Sequence, residues 1–191
     1  MSINVSSVQL QRPDFVDTVG RTLAKWELPA RHIELELTEG AMIGNVERAI
    51  STMRALKSLG IRLALDDFGT GYSSLNYLRR FPIDKLKIDR TFVMDIDSDA
   101  SAAGICNAII GLGHQLGMTV LAEGVETLRQ VQYLRRNACD QFQGFYFGRP
   151  APAAAAFEVI KHGNGERARM ALLGEVAEPR NLSRHGKARA R

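Results

Sequence analysis

The chain is 191 residues long, with 45% hydrophobic and 24% charged side chains and a formal net charge of +4. These values are globular and exclude disorder, collagen or coiled coil as whole-chain descriptions, and no run of about 18 apolar residues is present to cross a membrane. Residues 163–191 hold seven basic and three acidic side chains, so the whole positive excess lies there and residues 1–162 are balanced, which argues against a nucleic-acid polymer as partner of the folded part.

In chain order, strand-like runs are expected at 2–6, 33–38, 62–67, 85–89, 119–123 and 140–144. Helices are expected between them. Residues 14–25 make one, and 45–59 make another on Ala49, Ile50, Met53, Leu56 and Leu59, with Gly60 behind it. A short helix at 73–80 has Ser73 as its N-cap and is closed by Pro82. Residues 101–116 carry Ile105, Ile109, Leu112 and Leu116 on one stripe, and 125–137 carry Leu128, Val131 and Leu134. Trp26 is expected in the core or at a helix end, and His32 and His114 in structural or surface roles. The tail, 163–191, is Gly-, Arg- and Ala-rich without apolar period and is expected to be disordered, leaving 1–162 as the folded domain.

Alternating strands and helices with short connections imply parallel strands and right-handed crossovers. A nucleotide-binding open sheet would place a Gly-rich turn after its first strand, but Ser7-Val8-Gln9-Leu10 follows there. A polar group recurs instead at each strand's C-terminal end: Asn4, Glu36, Asp66 with Asp67, Lys87 with Asp89, Glu123, and Gln143. With a period of two, Leu35 and Leu37 face opposite to Glu36, and Leu86 and Ile88 opposite to Lys87. Charged groups on a common axis belong to a (β/α) barrel, whose chemistry sits at the C-terminal mouth. The expected fold is therefore an α/β, incomplete TIM-like (β/α) barrel of about six of the eight units.

Adjacent Asp66 and Asp67 repel unless a cation lies near them. With Asn4, Glu36 and Glu123 they form a set of hard oxygen donors without a His or Cys ligand, which selects Mg²⁺ or Mn²⁺ over Zn²⁺. Lys87, inside a strand, needs acidic partners and would orient water or offset phosphate charge. Gly124 lets backbone approach the site, and Glu126 either positions a ligand or complements a helix dipole. Cys106 and Cys139, in apolar surroundings, read as buried free thiols of a reducing compartment. Met1 to Leu10 lacks the basic and apolar regions of a secretion signal, so a cytoplasmic location is expected.

Asn4-Val5-Ser6 with Gln9-Leu10, Glu36-Leu37-Thr38-Glu39, Asp66-Asp67-Phe68-Gly69-Thr70-Gly71-Tyr72-Ser73-Ser74-Leu75, Leu86-Lys87-Ile88-Asp89, Ala122-Glu123-Gly124-Val125-Glu126 and Gln143-Gly144 resemble the EAL domain family. The resemblance runs over about residues 2–160 and implies metal-dependent hydrolysis of cyclic di-GMP to linear pGpG on a barrel. It implies Asn4, Glu36 and Asp66 as ligands of a first metal, and Asp66, Asp67 and Glu123 around a second. Glu123 or Lys87 would activate or orient water, and Glu39 would hold the glycine loop. Gln9, Asp89, Glu126 and Gln143 would contact the nucleotide. The Glu-Ala-Leu segment that names the family, with its metal-ligating glutamate and nearby substrate-contacting arginine, is not in these 191 residues. The chain is thus expected to be a fragment, the product of a shifted gene start, or a degenerate homologue completed by another subunit. A homodimer, or an upstream sensory or GGDEF-type domain, would be the partner. The competing readings are a catalytically silent EAL-like module that binds cyclic di-GMP or a protein, and a different metal-dependent barrel enzyme using Lys87 to abstract a proton.

Overall fold

The structure, a computed structural model, describes residues 1–42, 45–69 and 75–162. Two compact units are present, Met1–Arg149 and Pro150–Arg191. In the second, Ala153–His162 forms a helix whose second turn is begun by Ala156 N donating to Pro152 O, 2.9 Å. The tail expected to be disordered, and most of the glycine loop with Ser73, lie outside the described residues.

The first unit is built on one six-stranded sheet: β1 (Ser2–Val5), β2 (Glu34–Thr38), β3 (Arg62–Phe68), β4 (Lys85–Ile88), β5 (Thr119–Ala122) and β6 (Gln141–Phe142). Every neighbouring pair is parallel, and the spatial order is the sequence order. Each crossover therefore advances the sheet in the same direction. A doubly wound sheet would reverse at its switch point. Six consecutive β/α units of a TIM-like barrel result, with β1 and β6 not paired to one another among the described residues.

Eight α-helices are described: α1 (Ser7–Leu10), α2 (Phe15–Lys25), α3 (Val46–Ser58), α4 (Leu75–Leu78), α5 (Arg90–Met94), α6 (Ala100–Gln115), α7 (Leu128–Arg136) and α8, the helix of the second unit. Their limits are written in local chemistry. Asn45 accepts from Arg48 N at 3.0 Å to start α3, and Gly60, at φ +88°, ends the turn after it. Thr127 and Gln130 close a capping box at α7. Residues 7–10, assigned no element from the sequence, form α1 because Ser6 and Gln9 make the same reciprocal cap. Four residues are too few to show an apolar period.

The core lies between the outward face of the sheet and the helices. Leu37, Leu63, Leu65, Leu86, Ile88 and Val120 are fully buried there, against Met53 and Leu56 of α3 and Cys106 and Ile110 of α6. Each such side chain contributes about 1.5–3 kcal/mol on burial. Helix α6 approaches so closely that a Cβ at Gly113 would stand 2.4 Å from Val120 Cγ2. This corrects the expected stripe. Its buried residues include Ala102, Cys106, Ile109, Ile110 and Gly113, whereas Ile105 is exposed, because small side chains take the face nearest the sheet. Leu59 and Trp26, at the ends of α3 and α2, are likewise exposed.

Candidate active site

The inward face of the sheet is polar in layers two residues apart. Nearer the strand N-termini, Glu34 accepts from Lys85 Nζ at 2.8 Å and from Ser2 Oγ at 3.1 Å. One layer up, Lys87 Nζ lies 2.9 Å from Glu36 Oε2, 2.8 Å from Asp66 Oδ1 and 2.7 Å from Glu123 Oε1. Four successive strands or strand ends thus meet at the ammonium of Lys87, a residue 3% exposed. Burial alone would lower its pKa. The hydrogen bonds to Asp66, Glu123 and Glu36 outweigh burial and hold Lys87 charged, above the ordinary lysine range.

The acids around it remain in excess. Burial, with the charges of Asp66 and Glu36, pushes Glu123 up against the pull of Lys87. Burial also raises Asp67, helped by the negative charge of Asp66 and Asp89. Burial works against ionisation of Asp89, but hydrogen bonds from Thr91 and Asp67 outweigh it and keep that group below its ordinary pKa. Asp67 itself sits at φ +53°, a left-handed conformation that a carboxylate residue adopts at some strain. Its N–H donates to Asp66 Oδ1 at 3.1 Å.

Three loops close over this layer. Glu39, 6% exposed, accepts from Gly69 N at 3.0 Å through Oε1, while its buried Oε2 has no hydrogen-bond partner among the described residues. Gly124, at φ +68°, leaves room for Arg90, whose Cβ would be 2.6 Å from a Cβ placed there. Val125 N donates to Gln143 O at 3.0 Å, and Tyr146 N donates to Val125 O at 3.0 Å, so the turn after β6 is fastened to the loop carrying Glu123.

The expected residues fall as follows. Glu36, Asp66, Lys87 and Glu123 meet directly, Asp67 adjoins Asp66 and Glu123, and Asp89 adjoins Asp67. Asn4 is level with Glu36 on the neighbouring strand and is exposed. Gln9 spends its side-chain oxygen on the cap of α1, accepting from Ser6 N and Ser6 Oγ at 3.0 Å each. Glu126 and Gln143 are exposed at the loops flanking Val125. The Glu34–Lys85 layer went unmentioned in the sequence reading, although the i, i+2 repeats Glu34/Glu36 and Lys85/Lys87 announce it.

Asp66, Asp67 and Glu123 can each present an oxygen within 4.8 Å of the others. All three donors are hard carboxylates, with Lys87 paired to two of them, so the set fits Mg²⁺ or Mn²⁺. The family model described as EAL domain matches residues 1–150. The chain belongs to the EAL domain family.

This EAL domain is 44% identical over 161 residues to the cyclic di-GMP phosphodiesterase NbdA of Pseudomonas aeruginosa, covering 84% of the present chain and 21% of NbdA. Among solved structures, the PaMucR phosphodiesterase in its c-di-GMP complex superposes with a TM-score of 0.78 at 39% identity, over 81% of this chain and 63% of that one. Klebsiella pneumoniae BlrP1, in a complex with manganese and cyclic di-GMP, gives 0.72 at 36% identity, over 78% and 38%. The chain spans about a fifth of the length of the curated relatives it matches.

Proposed function

We propose that this EAL domain carries the site of a metal-dependent phosphodiesterase that hydrolyses cyclic di-GMP to linear pGpG in the cytoplasm. The observation that carries the reading is the convergence of Glu36, Asp66 and Glu123 on buried Lys87, beside the Asp66–Asp67–Glu123 oxygen cluster. Asp66, Asp67 and Glu123 would hold divalent cations, with Asn4 and Glu36 as further ligands. Such ions supply a water of lowered pKa and offset charge on the phosphate. In hydrolysis the water oxygen bonds to phosphorus, the bond to the ribose oxygen breaks, and that oxygen takes a proton.

The chain's own residues supply the rest. Lys87, held charged by three acids, orients Glu123 and adds a fixed positive charge beside the phosphate. Glu123, pushed up by burial, is poised to take a proton from water. Glu39 holds the Gly69 amide and with it the turn after the diacid. Gln9, Asp89, Glu126 and Gln143 would line the nucleotide pocket. In a larger signalling protein, the partners would be a second copy of the chain or a sensory or GGDEF-type domain.

The test is incubation of the chain with cyclic di-GMP and Mn²⁺, following pGpG by chromatography. Turnover is expected, with losses of at least about 100-fold in Glu123→Gln and Lys87→Met. A folded chain that binds the nucleotide without turnover would instead be a silent binding module.

A further inference from the structure

Helix α5 begins one residue after Asp89, whose side chain caps it by accepting from Thr91 N at 2.9 Å. Its first residue, Arg90, packs on Gly124. Two residues on, Phe92 reaches the opposite neighbour. A Cβ built on Gly69 would stand 2.8 Å from Phe92 Cε2 and 3.2 Å from Cζ, closer than a real Cβ tolerates. The ring edge therefore rests on the bare Cα of Gly69. That glycine is at φ +100° and donates its N–H to Glu39. It is two residues from Asp67, the strained member of the diacid.

We propose that Phe92 is a positioning residue of the metal site: its ring, pressed on Gly69, fixes the turn that presents Asp66 and Asp67. Nothing in its sequence context marks it. Its action is geometric. A left-handed Asp67 is retained only where its surroundings over-determine the backbone. Glu39 holds the turn by one hydrogen bond, and Phe92 closes its other side by contact. The ring is half-buried, and Ile109 Cδ1 of α6 lies 3.5 Å from the same point over Gly69. The metal-binding part of this inference rests on the proposed function. The backbone part does not.

Two readouts on the full chain separate them. Amide exchange at Gly69, measured in EDTA, reports the turn alone. Mn²⁺ titration calorimetry without nucleotide reports the ligand set. Phe92→Leu keeps most of the apolar volume but withdraws the Cε2 and Cζ contact. It is expected to speed Gly69 exchange and weaken Mn²⁺ binding several-fold, and Phe92→Ala to do both by about tenfold or more, the range seen when support behind metal ligands is removed. Met94→Ala, an exposed position on the same helix, should change neither. Gly69→Ala should be harmful in both backgrounds, because φ +100° strains any side chain there, and less harmful with Phe92→Leu, where the clash with the ring is removed, a non-additivity that general loss of packing does not produce. Wild-type exchange at Gly69 in folded Phe92→Leu overturns the proposal. Absence of Mn²⁺ binding by the wild type overturns the proposed function, while the exchange rates still decide whether Phe92 holds the turn.

Discussion

Lys87 Nζ and Glu123 Oε1 lie 2.7 Å apart, joining the end of β4 to the loop after β5. Glu36 and Asp66 bond the same ammonium, so three partly buried carboxylates depend on one cation. Lys87→Met fills the volume and removes the charge. Removing one partner from a buried ionic cluster costs about 3–5 kcal/mol, and that loss is expected in thermal or urea unfolding in EDTA. Mn²⁺ should then raise the midpoint of Lys87→Met more than that of the wild type, because added cation replaces charge that the variant lacks. Equal stability of the two proteins in EDTA would contradict the picture.

Two glycines allow a comparison between packing and site geometry. A Cβ at Gly113 meets the Val120 side chain, on the helix side of the sheet. A Cβ at Gly144 would be 2.2 Å from Val125 O and 2.3 Å from Val125 N, which are backbone atoms beside the Glu123 loop. Gly113→Ala is expected to cost about 1–3 kcal/mol by overpacking and to leave Mn²⁺ affinity unchanged in the folded fraction. Gly144→Ala should detach the β6 turn from Val125 and lower turnover at least about tenfold even where the chain is folded. Unfolding curves and steady-state rates on the same samples check both.

The order of elements and the inward layer were legible because both rest on local rules. Alternation places Glu36 and Lys87 opposite their leucine and isoleucine neighbours, and the strand limits fall within one or two residues of those read from sequence. The close approaches were not legible. Phe92 on Gly69, Arg90 on Gly124 and Gly144 on Val125 bring together residues from different crossovers, and a glycine in sequence does not say what rests on it. Ile105 misled for a related reason. The largest apolar residues suggest a stripe, but the surface nearest a sheet admits alanine and glycine.

Asp84 and Asp140 do the same work at the opposite end of the sheet. Each immediately precedes a strand and accepts from the second backbone N–H of the strand beside it, Leu63 N at 2.8 Å and Val120 N at 2.7 Å. Lys57 pairs with the first, and His114 Nε2 lies 2.9 Å from the second. Asp84→Ala and Asp140→Ala leave those amides without their acceptor and should each lower stability by about 1–2 kcal/mol. Neither touches the Lys87 layer, so Mn²⁺ affinity should not move. A change in affinity without a change in stability would show that the two ends of the sheet are coupled.

The cysteines give the stability of this fold a pH dependence that can be signed. Cys106 and Cys139 are free and buried. Burial pushes the Cys106 thiol up to about 12 and the Cys139 thiol up to about 11, from an ordinary value of 9.0. In the unfolded chain both thiols ionise near the ordinary value, so above it the unfolded state binds fewer protons than the native state. Stability from these groups is therefore complete below about pH 9 and is lost as pH rises through about 11 to 12. Urea midpoints should fall between pH 9 and 11 in the wild type and fall less in Cys106→Ala/Cys139→Ser, whose lower starting stability makes the slope, not the midpoint, the quantity to compare. The same burial predicts that iodoacetamide at pH 8 modifies neither thiol in the folded protein and both in urea, since the thiolate is the nucleophile and is disfavoured inside. Equal slopes with pH for the two proteins, or rapid labelling of the folded chain, would show that these thiols reach solvent.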